Sequence, residues 1–245
     1  MNSGMYAALS GSMVGQERLD VLTNNLANAS TAGFKKDRLS FESILGGVKN
    51  PSQKTGSLTD APVMSGVSFA TDYSAGALKY TGNPLDVALD GDGFFVVNTP
   101  EGKAYTRQGN FHLDASGKLI NAGGYEVLAG GGPVTIKGGT VVIDSKGGIV
   151  VDGNQVGTLD VVDFQKPYPL QKTGGVMFTL DGQGAVGQPA ANTAVKQGVI
   201  EESNVNTIWE MTQMVESNRY YESCTKVMQG FDNMASKAAN ELGKL

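Results

Sequence analysis

Near the start of the chain, Met5, Leu9, Ser12, Gln16, Leu19, Thr23 and Leu26 follow alternating steps of four and three. That spacing keeps one narrow stripe on one face of a helix and predicts a seam for a partner helix. The last stretch repeats the rhythm through Met211, Met214, Asn218, Tyr221, Thr225, Met228, Asp232, Ala235, Ala239 and Leu242. In each, one seam position is mainly apolar (Met5, Leu19, Leu26; Met214, Tyr221, Met228, Leu242) and the alternate one is often polar. Asn206 is placed to cap the back helix, with Glu210 close to its positive end. A seam this polar is weak. Isolated helices are marginal in water, and Gly230 removes up to about 1 kcal/mol relative to alanine. One reading is that both ends are poorly ordered in a free monomer and order when neighbouring copies bury them. The other is an ordinary helix pair within one chain, and the seam alone leaves both open.

Between the ends the period changes. Leu85, Val87 and Leu89 alternate, and a Gly-Asp-Gly break precedes the buried-type run Phe94-Phe95-Val96-Val97. Phe111 and Leu113 flank His112, and Asp114-Ala-Ser-Gly117 supplies a hairpin turn before Leu119 and Ile120. Val134–Ile136, Val141–Ile143, Ile149–Val151 and Leu159–Phe164 continue the pattern between glycines. All eight prolines lie between Pro51 and Pro189, and all but five of the 34 glycines lie between Gly33 and Gly198. Residues that break helices are thus confined to the middle. The fold class this predicts is α+β: long N- and C-terminal helices pairing as a coiled-coil-like domain, around a central, mainly antiparallel β domain. The divisions are 1–33 for the front helix, 34–80 for an extended connector, 81–200 for the β domain and 201–245 for the back helix. Gly46 to Ser65, rich in Asn, Pro, Ser, Gln and Thr, reads as a mobile part of that connector.

Composition narrows the function. The formal net charge of −5 leaves no basic surplus for phosphates, so nucleic acid is not an expected partner. One cysteine, Cys224, excludes an intramolecular disulfide and a multi-cysteine metal site. No stretch approaches the ~20 apolar residues of a membrane span. Met1 to Gln16 carries no charged side chain, and Gly4, Ser10, Gly11 and Ser12 interrupt its apolar residues. It lacks the form of a cleaved secretion signal and is read as retained. Action outside the cytoplasm would then require another export route.

Candidate chemistry is thin. His112 is the only histidine and sits on the polar phase of a strand, with no second histidine for zinc and no nucleophile-elbow motif for a hydrolase. Asp90-Gly-Asp92-Gly lacks the further ligands of a calcium loop and reads as a turn. Ala129-Gly-Gly-Gly-Pro133 lacks the Gly-Lys-Ser/Thr of a phosphate loop. Cys224 has only Lys226 near it to activate a thiolate. Lys35-Lys36-Asp37-Arg38 reads as a solvated charged face. No catalytic residue, metal or cofactor is expected.

One segment is specific. Asn24-Asn-Leu-Ala-Asn-Ala-Ser-Thr-Ala-Gly-Phe-Lys35 resembles the N-terminal signature of the flagellar rod and hook family, with Asn24, Asn25, Ala27, Asn28, Thr31, Gly33, Phe34 and Lys35 all fitting. Asn28 and Thr31 are suited to bond backbone groups freed at the helix end, Gly33 to a left-handed exit, and Phe34 to pin the departing chain by burial. Gly91-Asp-Gly-Phe-Phe95, Tyr105-Thr-Arg-Gln-Gly109 with Phe111, Gly117-Lys-Leu119, and Gln197-Gly-Val-Ile-Glu-Glu-Ser-Asn-Val-Asn206 resemble later blocks of the family, in the same order. Hook proteins are usually longer, with outer domains for which this chain has no room. The compact connector after Phe34 and the stretch Gly130–Ile136 resemble the proximal-rod type more than the distal. The resemblance implies a non-enzymatic axial subunit of the basal-body rod, exported uncleaved by the flagellar export apparatus and assembled in the periplasm with copies of itself and other rod proteins. Its interface would draw on Leu19, Leu26, Asn28, Gly33 and Phe34 in front and on Met211, Met214, Tyr221 and Met228 behind. The alternatives are a distal-rod or hook-type subunit, or a transient rod-assembly or capping factor.

Overall fold

The computed structural model describes residues 2–41, 67–181, 186–190 and 192–242. The Gly46–Ser65 stretch, and the side chains of Ala239 and Leu242 at the tail of the back seam, lie outside what is described. The chain is α+β, with a helix at each end and antiparallel strands between. It divides into two compact units. One comprises Met1–Ala27, Asp37–Asp72 and Asn206–Leu245; the other Asn28–Lys36 and Tyr73–Val205.

The first unit holds α1 (Asn2–Ala27), the ribbon strands β1 (Asp37–Phe41) and β2 (Val67–Thr71), and α2 (Thr207–Leu242). No proline interrupts either helix. Asn206 caps α2 as its sequence position implies, its Oδ1 accepting the Trp209 amide at 3.1 Å. β1 and β2 pair antiparallel, Asp37 opposite Thr71 and Leu39 opposite Phe69. Thr71 Oγ1 donates to the Asp37 carboxylate at 2.8 Å. These strands fall in the stretch that the sequence reads as extended connector. No helix among the described residues is long and apolar enough to cross a membrane.

The second unit opens with β3 (Leu78–Tyr80), β4 (Val87–Asp90), β5 (Phe94–Thr99), β6 (Gly102–Thr106), β7 (His112–Leu113), β8 (Leu119–Ile120), β9 (Glu126–Ala129) and β10 (Gly132–Pro133). It continues through β11 (Val141–Ile143), β12 (Gly148–Val151), β13 (Asn154–Thr158), β14 (Val161–Asp163), β15 (Leu170–Lys172), β16 (Met177–Leu180) and β17 (Gln188–Pro189). β18 (Ala194–Gln197) and β19 (Val199–Glu201) close the series. The main sheet runs β15-β16-β6-β5-β9-β8-β7, with β14 also on β5, β17 on β14 and β10 on β9. β11, β12 and β13 form a separate sheet, while β18 pairs with β4 and β19 with β3.

β5 explains why Phe94–Val97 is apolar without alternation. Phe95 and Val97 enter one core with Val87, Leu89, Phe111, Leu119, Val127, Ile149 and Val195. Phe94 and Val96 enter a second with Tyr105, Phe164 and Phe178, against which Tyr73 and Tyr168 pack. A strand covered on both faces has no polar phase. The Asp114–Gly117 turn forms as its residues imply. Asp114 Oδ1 accepts the Ser116 and Lys118 amides, both at 2.8 Å, and Gly117 takes φ 79°, which only glycine adopts at no steric cost. Asn121 and Asp144 accept amides two and four residues ahead in the same way.

Candidate assembly surface and signature clasp

Buried positions on α1 are Ala8, Ser12, Gly15, Leu22 and Asn25, with Leu19 and Leu26 half-buried among them. On α2, Glu210 and Ser217 are buried, and Met214, Tyr221, Cys224, Met228 and Phe231 are half-buried. Both lines advance in steps of four and three. One line holds Ser12, Leu19 and Leu26 in front and Met214, Tyr221 and Met228 behind, while Met5, which the pattern puts on the same position, is exposed. The alternate position lies one residue earlier than expected. Ala8, Gly15 and Leu22 replace Leu9, Gln16 and Thr23; Glu210, Ser217 and Phe231 replace Met211, Asn218 and Asp232, while Cys224 and Thr225 are both half-buried.

The cause is close approach between backbone and ring. The helices run side by side in opposite directions, with Gly4 against the Phe231 ring, Gly11 against the Tyr220 hydroxyl and Cys224 Sγ, and Gly15 against Tyr220 and Tyr221. Each bulky side chain of α2 occupies space that α1 leaves by having no Cβ. Arg18 donates to Gln213 farther along the pair. At the far end Asn25 is almost wholly buried: its Nδ2 donates to the Asp37 carbonyl at 2.9 Å and, more weakly, to Glu210 Oε2 at 3.4 Å. Its Oδ1 accepts the Asp37 amide at 3.0 Å. The pair is not fully satisfied, because Glu17 Oε2 and Ser217 Oγ are buried without a hydrogen-bond partner.

Apolar side chains off the seam stand in the open. On α1 they are Met5, Tyr6, Leu9 and Met13. On α2 they include Ile208 at 79% exposure, Trp209, Met211 at 51%, Val215, Val227 and Met234. A scattered exposed leucine needs no explanation, whereas rows of large apolar residues on both helices are candidates for an interaction surface.

The second unit contains the end of the N-terminal signature. Asn28 and Thr31 form a turn, the Asn28 carbonyl accepting the Thr31 amide at 3.1 Å while the two side chains bond each other at 3.2 Å. Gly33 leaves it at φ 69°, in the left-handed exit the sequence implies. Phe34 is fully buried, with the Lys172 ammonium 4.0 Å from its ring centre. Lys35 corrects the reading of Lys35–Arg38 as a solvated face. It is 1% exposed, and its Nζ lies 2.6 Å from both Glu201 Oε1 and the Ser74 carbonyl. Of that stretch only Arg38 is well exposed, paired to Asp72. Glu201 bridges to a second buried cation, Arg107, at 3.3 Å, and takes the Gly76 amide at 2.8 Å. Arg107 in turn donates to the carbonyls of Leu89 and Gly91.

Three family models match the chain in order. The flagella basal body rod protein model covers residues 5–35, the flagellar hook protein FlgE/F/G D1 domain 88–155, and the flagellar basal body rod FlgEFG protein C-terminal model 196–242. The chain is 35% identical to the flagellar basal-body rod protein FlgF of Rhizobium meliloti, over 99% of both chains. It is 33% identical to FlgG of Bacillus subtilis, over 98% of this chain and 99% of that one. The chain belongs to the flagellar basal-body rod protein family. It is a structural subunit of the rod and not an enzyme. Its likeness to FlgF agrees with alignment length: 248 residues against the Rhizobium FlgF but 265 against the Bacillus FlgG, which requires more gaps.

The features set aside as chemistry have structural roles in this rod protein. Asp90 pairs with Lys196 at 2.6 Å and Asp92 with Lys166 at 2.8 Å. The Lys166 hydrogen bond holds the Asp92 carboxyl below its usual range. The glycine-rich loop cradles a carboxylate of its own chain, Gly130 and Gly131 donating to the two Asp160 oxygens at 2.9 Å each. His112 is exposed on β7 opposite Ile120. Among the described residues no cluster of histidine, cysteine and carboxylate side chains is arranged for a metal ion.

Proposed function

We propose that this rod protein polymerises through its terminal helices, pairing in coiled-coil fashion within and between copies, to form the torque-transmitting rod around the export channel. It passes uncleaved through the flagellar export apparatus and assembles in the periplasm with copies of itself and other rod proteins. The observation that carries this is the pair of exposed apolar rows on α1 and α2, which a lone chain leaves in water. Leu19, Leu26, Met214, Tyr221 and Met228 hold the pair together, Met211 with its exposed neighbours meets the next copy, and Asn28, Gly33 and Phe34 fix the turn that follows α1. The unpartnered Glu17 and Ser217 oxygens weaken the pair in isolation, each at about 1–3 kcal/mol. In a dilute monomer, amides before about Asn28 and after about Asn206 therefore exchange faster than those of Leu85–Phe164.

Leu26→Asp and Met214→Asp, tested in a strain lacking the native copy, are expected to abolish rod incorporation and motility with β-unit protection unchanged, because a charge in a packed seam is costly. Met13→Asp and Met211→Asp, on the exposed rows, are expected to leave monomer stability within about 0.5 kcal/mol yet also block incorporation. Normal motility in all four would overturn the proposal. Absence of the protein from purified basal bodies, read by mass spectrometry, would assign it to a transient assembly factor instead.

A further inference from the structure

We propose that the Lys35–Glu201–Arg107 cluster is a charge-gated closure: one edge of the β unit stays open until the chain around Glu201 arrives, and then closes as a single cooperative step. All of its parts lie within the second unit, and the inference stands whether or not the rod reading does.

The edge is built from three stretches far apart in sequence. β4 is laddered to β18, Val87 opposite Gln197 and Leu89 opposite Val195, and β3 to β19, Leu78 opposite Glu201. Backbone bonds weave the same pieces together: Gly33 donates to the Glu201 carbonyl at 2.8 Å, Gly198 to Asp86 at 2.7 Å, Glu202 to Ala77 at 2.8 Å, and Asn204 to Phe34 at 3.3 Å. Each contact spans more than a hundred residues, and Lys35 meets Glu201 across 166. By contrast, β5 and β6 pair across a short hairpin, Thr99 opposite Gly102. Local pairs form early and distant ones late, because loop closure precedes any reward from contact.

Charge sharpens this ordering. Lys35 and Arg107 are 1% and 5% exposed, on opposite sides of one carboxylate. Two cations brought together out of water without that carboxylate repel and lose hydration. The segment 33–36 and the stretch around Arg107 therefore cannot dock first and wait for Glu201. The carboxylate must come with them or before them. Because Arg107 also holds the Leu89 and Gly91 carbonyls, seating β4 is tied to the same event. In a chain made from its N-terminus, the piece that follows α1 remains undocked until residue 201 is available.

Pulsed hydrogen exchange during refolding of the full-length chain tests this directly. The amides of Gly33, Gly76, Val87, Gly198 and Glu202 are expected to gain protection together, in a phase later than those of β5 and β6. Protection of Gly33 and Gly198 in different phases, or as early as β5 and β6, would overturn the proposal. A second measurement uses Glu201→Ala at equilibrium. The same five amides are expected to lose about 100-fold protection or more, while β5, β6 and β9 keep theirs, and sodium formate is expected to restore protection better than equal sodium chloride. A loss confined to Gly33 and Gly76 would sink the cooperative edge. Loss across β5, β6 and β9 as well would sink its independence from the rest of the unit. No difference between formate and chloride would remove the role of charge.

Discussion

Gly33→Ala is expected to destabilise the β unit by about 3 kcal/mol or more, read as a fall in the urea midpoint of the full-length protein. Two effects combine. The residue sits at φ 69°, where an L side chain is strained, and a Cβ there would stand 2.4 Å from the Arg107 carbonyl carbon and the Gln108 nitrogen. Both are backbone atoms, so no side chain can swing away. The backbone would have to move instead, and the Gly33 amide holds the Glu201 carbonyl. Gly130→Ala separates the effects, because Gly130 has φ 62° with nothing within 4 Å of its added Cβ. That variant is expected to lose only about 1–2 kcal/mol, the backbone cost alone. Equal losses in the two variants would mean that close packing at Gly33 contributes nothing.

The contrast also marks what can be read from a sequence. The need for glycine at position 33 was legible from its place after a helix, because local geometry demands it. Its contact with Arg107 was not, since nothing near Gly33 in the chain names a partner 74 positions away. The Asp114 hairpin was legible for the first reason, and the β3–β19 ladder was hidden for the second: Leu78, Lys79 and Tyr80 are all exposed, so no apolar alternation announces a strand. Burial on both faces of β5 left a signal in the unbroken run Phe94–Val97.

In the helices the buried line passes through Leu19, Leu26, Met214, Tyr221 and Met228 of the apolar rhythm, but at Ala8, Gly15 and Leu22 it runs one residue earlier than the rhythm does. Hydropathy gives little weight to Gly, so Gly4, Gly11 and Gly15 look unremarkable beside Leu9. Yet it is against these glycines that Phe231, Tyr220 and Tyr221 of α2 are seated. The large residues of α1 that the pattern favours, Met5 and Leu9, are left 44% exposed. A second reading of the same segment, for small residues at steps of four and three, would have found the facing side. Lys35 misled for a related reason: a run of four charged residues normally marks a solvated surface, and its counter-charge, Glu201, is remote in sequence.

Asn25 is the buried residue of the helical unit whose loss is expected to matter most. Its amide group answers both backbone groups of Asp37, donating to the carbonyl and accepting from the N–H, as an adjacent strand would. It thereby fixes where the chain re-enters this unit and at the same time touches Glu210 near the start of α2. Asn25→Leu fills similar space but strands the Asp37 groups and the Glu210 carboxylate, at an expected cost of about 2–4 kcal/mol. Asn25→Asp keeps the acceptor for the Asp37 amide, loses the donor to its carbonyl, and sets two carboxylates against each other. It is expected to be the worse of the two at neutral pH, although it is the smaller chemical change. Both helices lie in this unit, so helical circular dichroism reports on it. That signal is expected to be lost at lower urea in both variants, while amide protection in β5 and β6 is unchanged. A parental helical transition in Asn25→Asp would show that the bonds to Asp37 and Glu210 hold nothing in place. The paired asparagines of the signature would then need an explanation outside the folded monomer, in the contacts between copies.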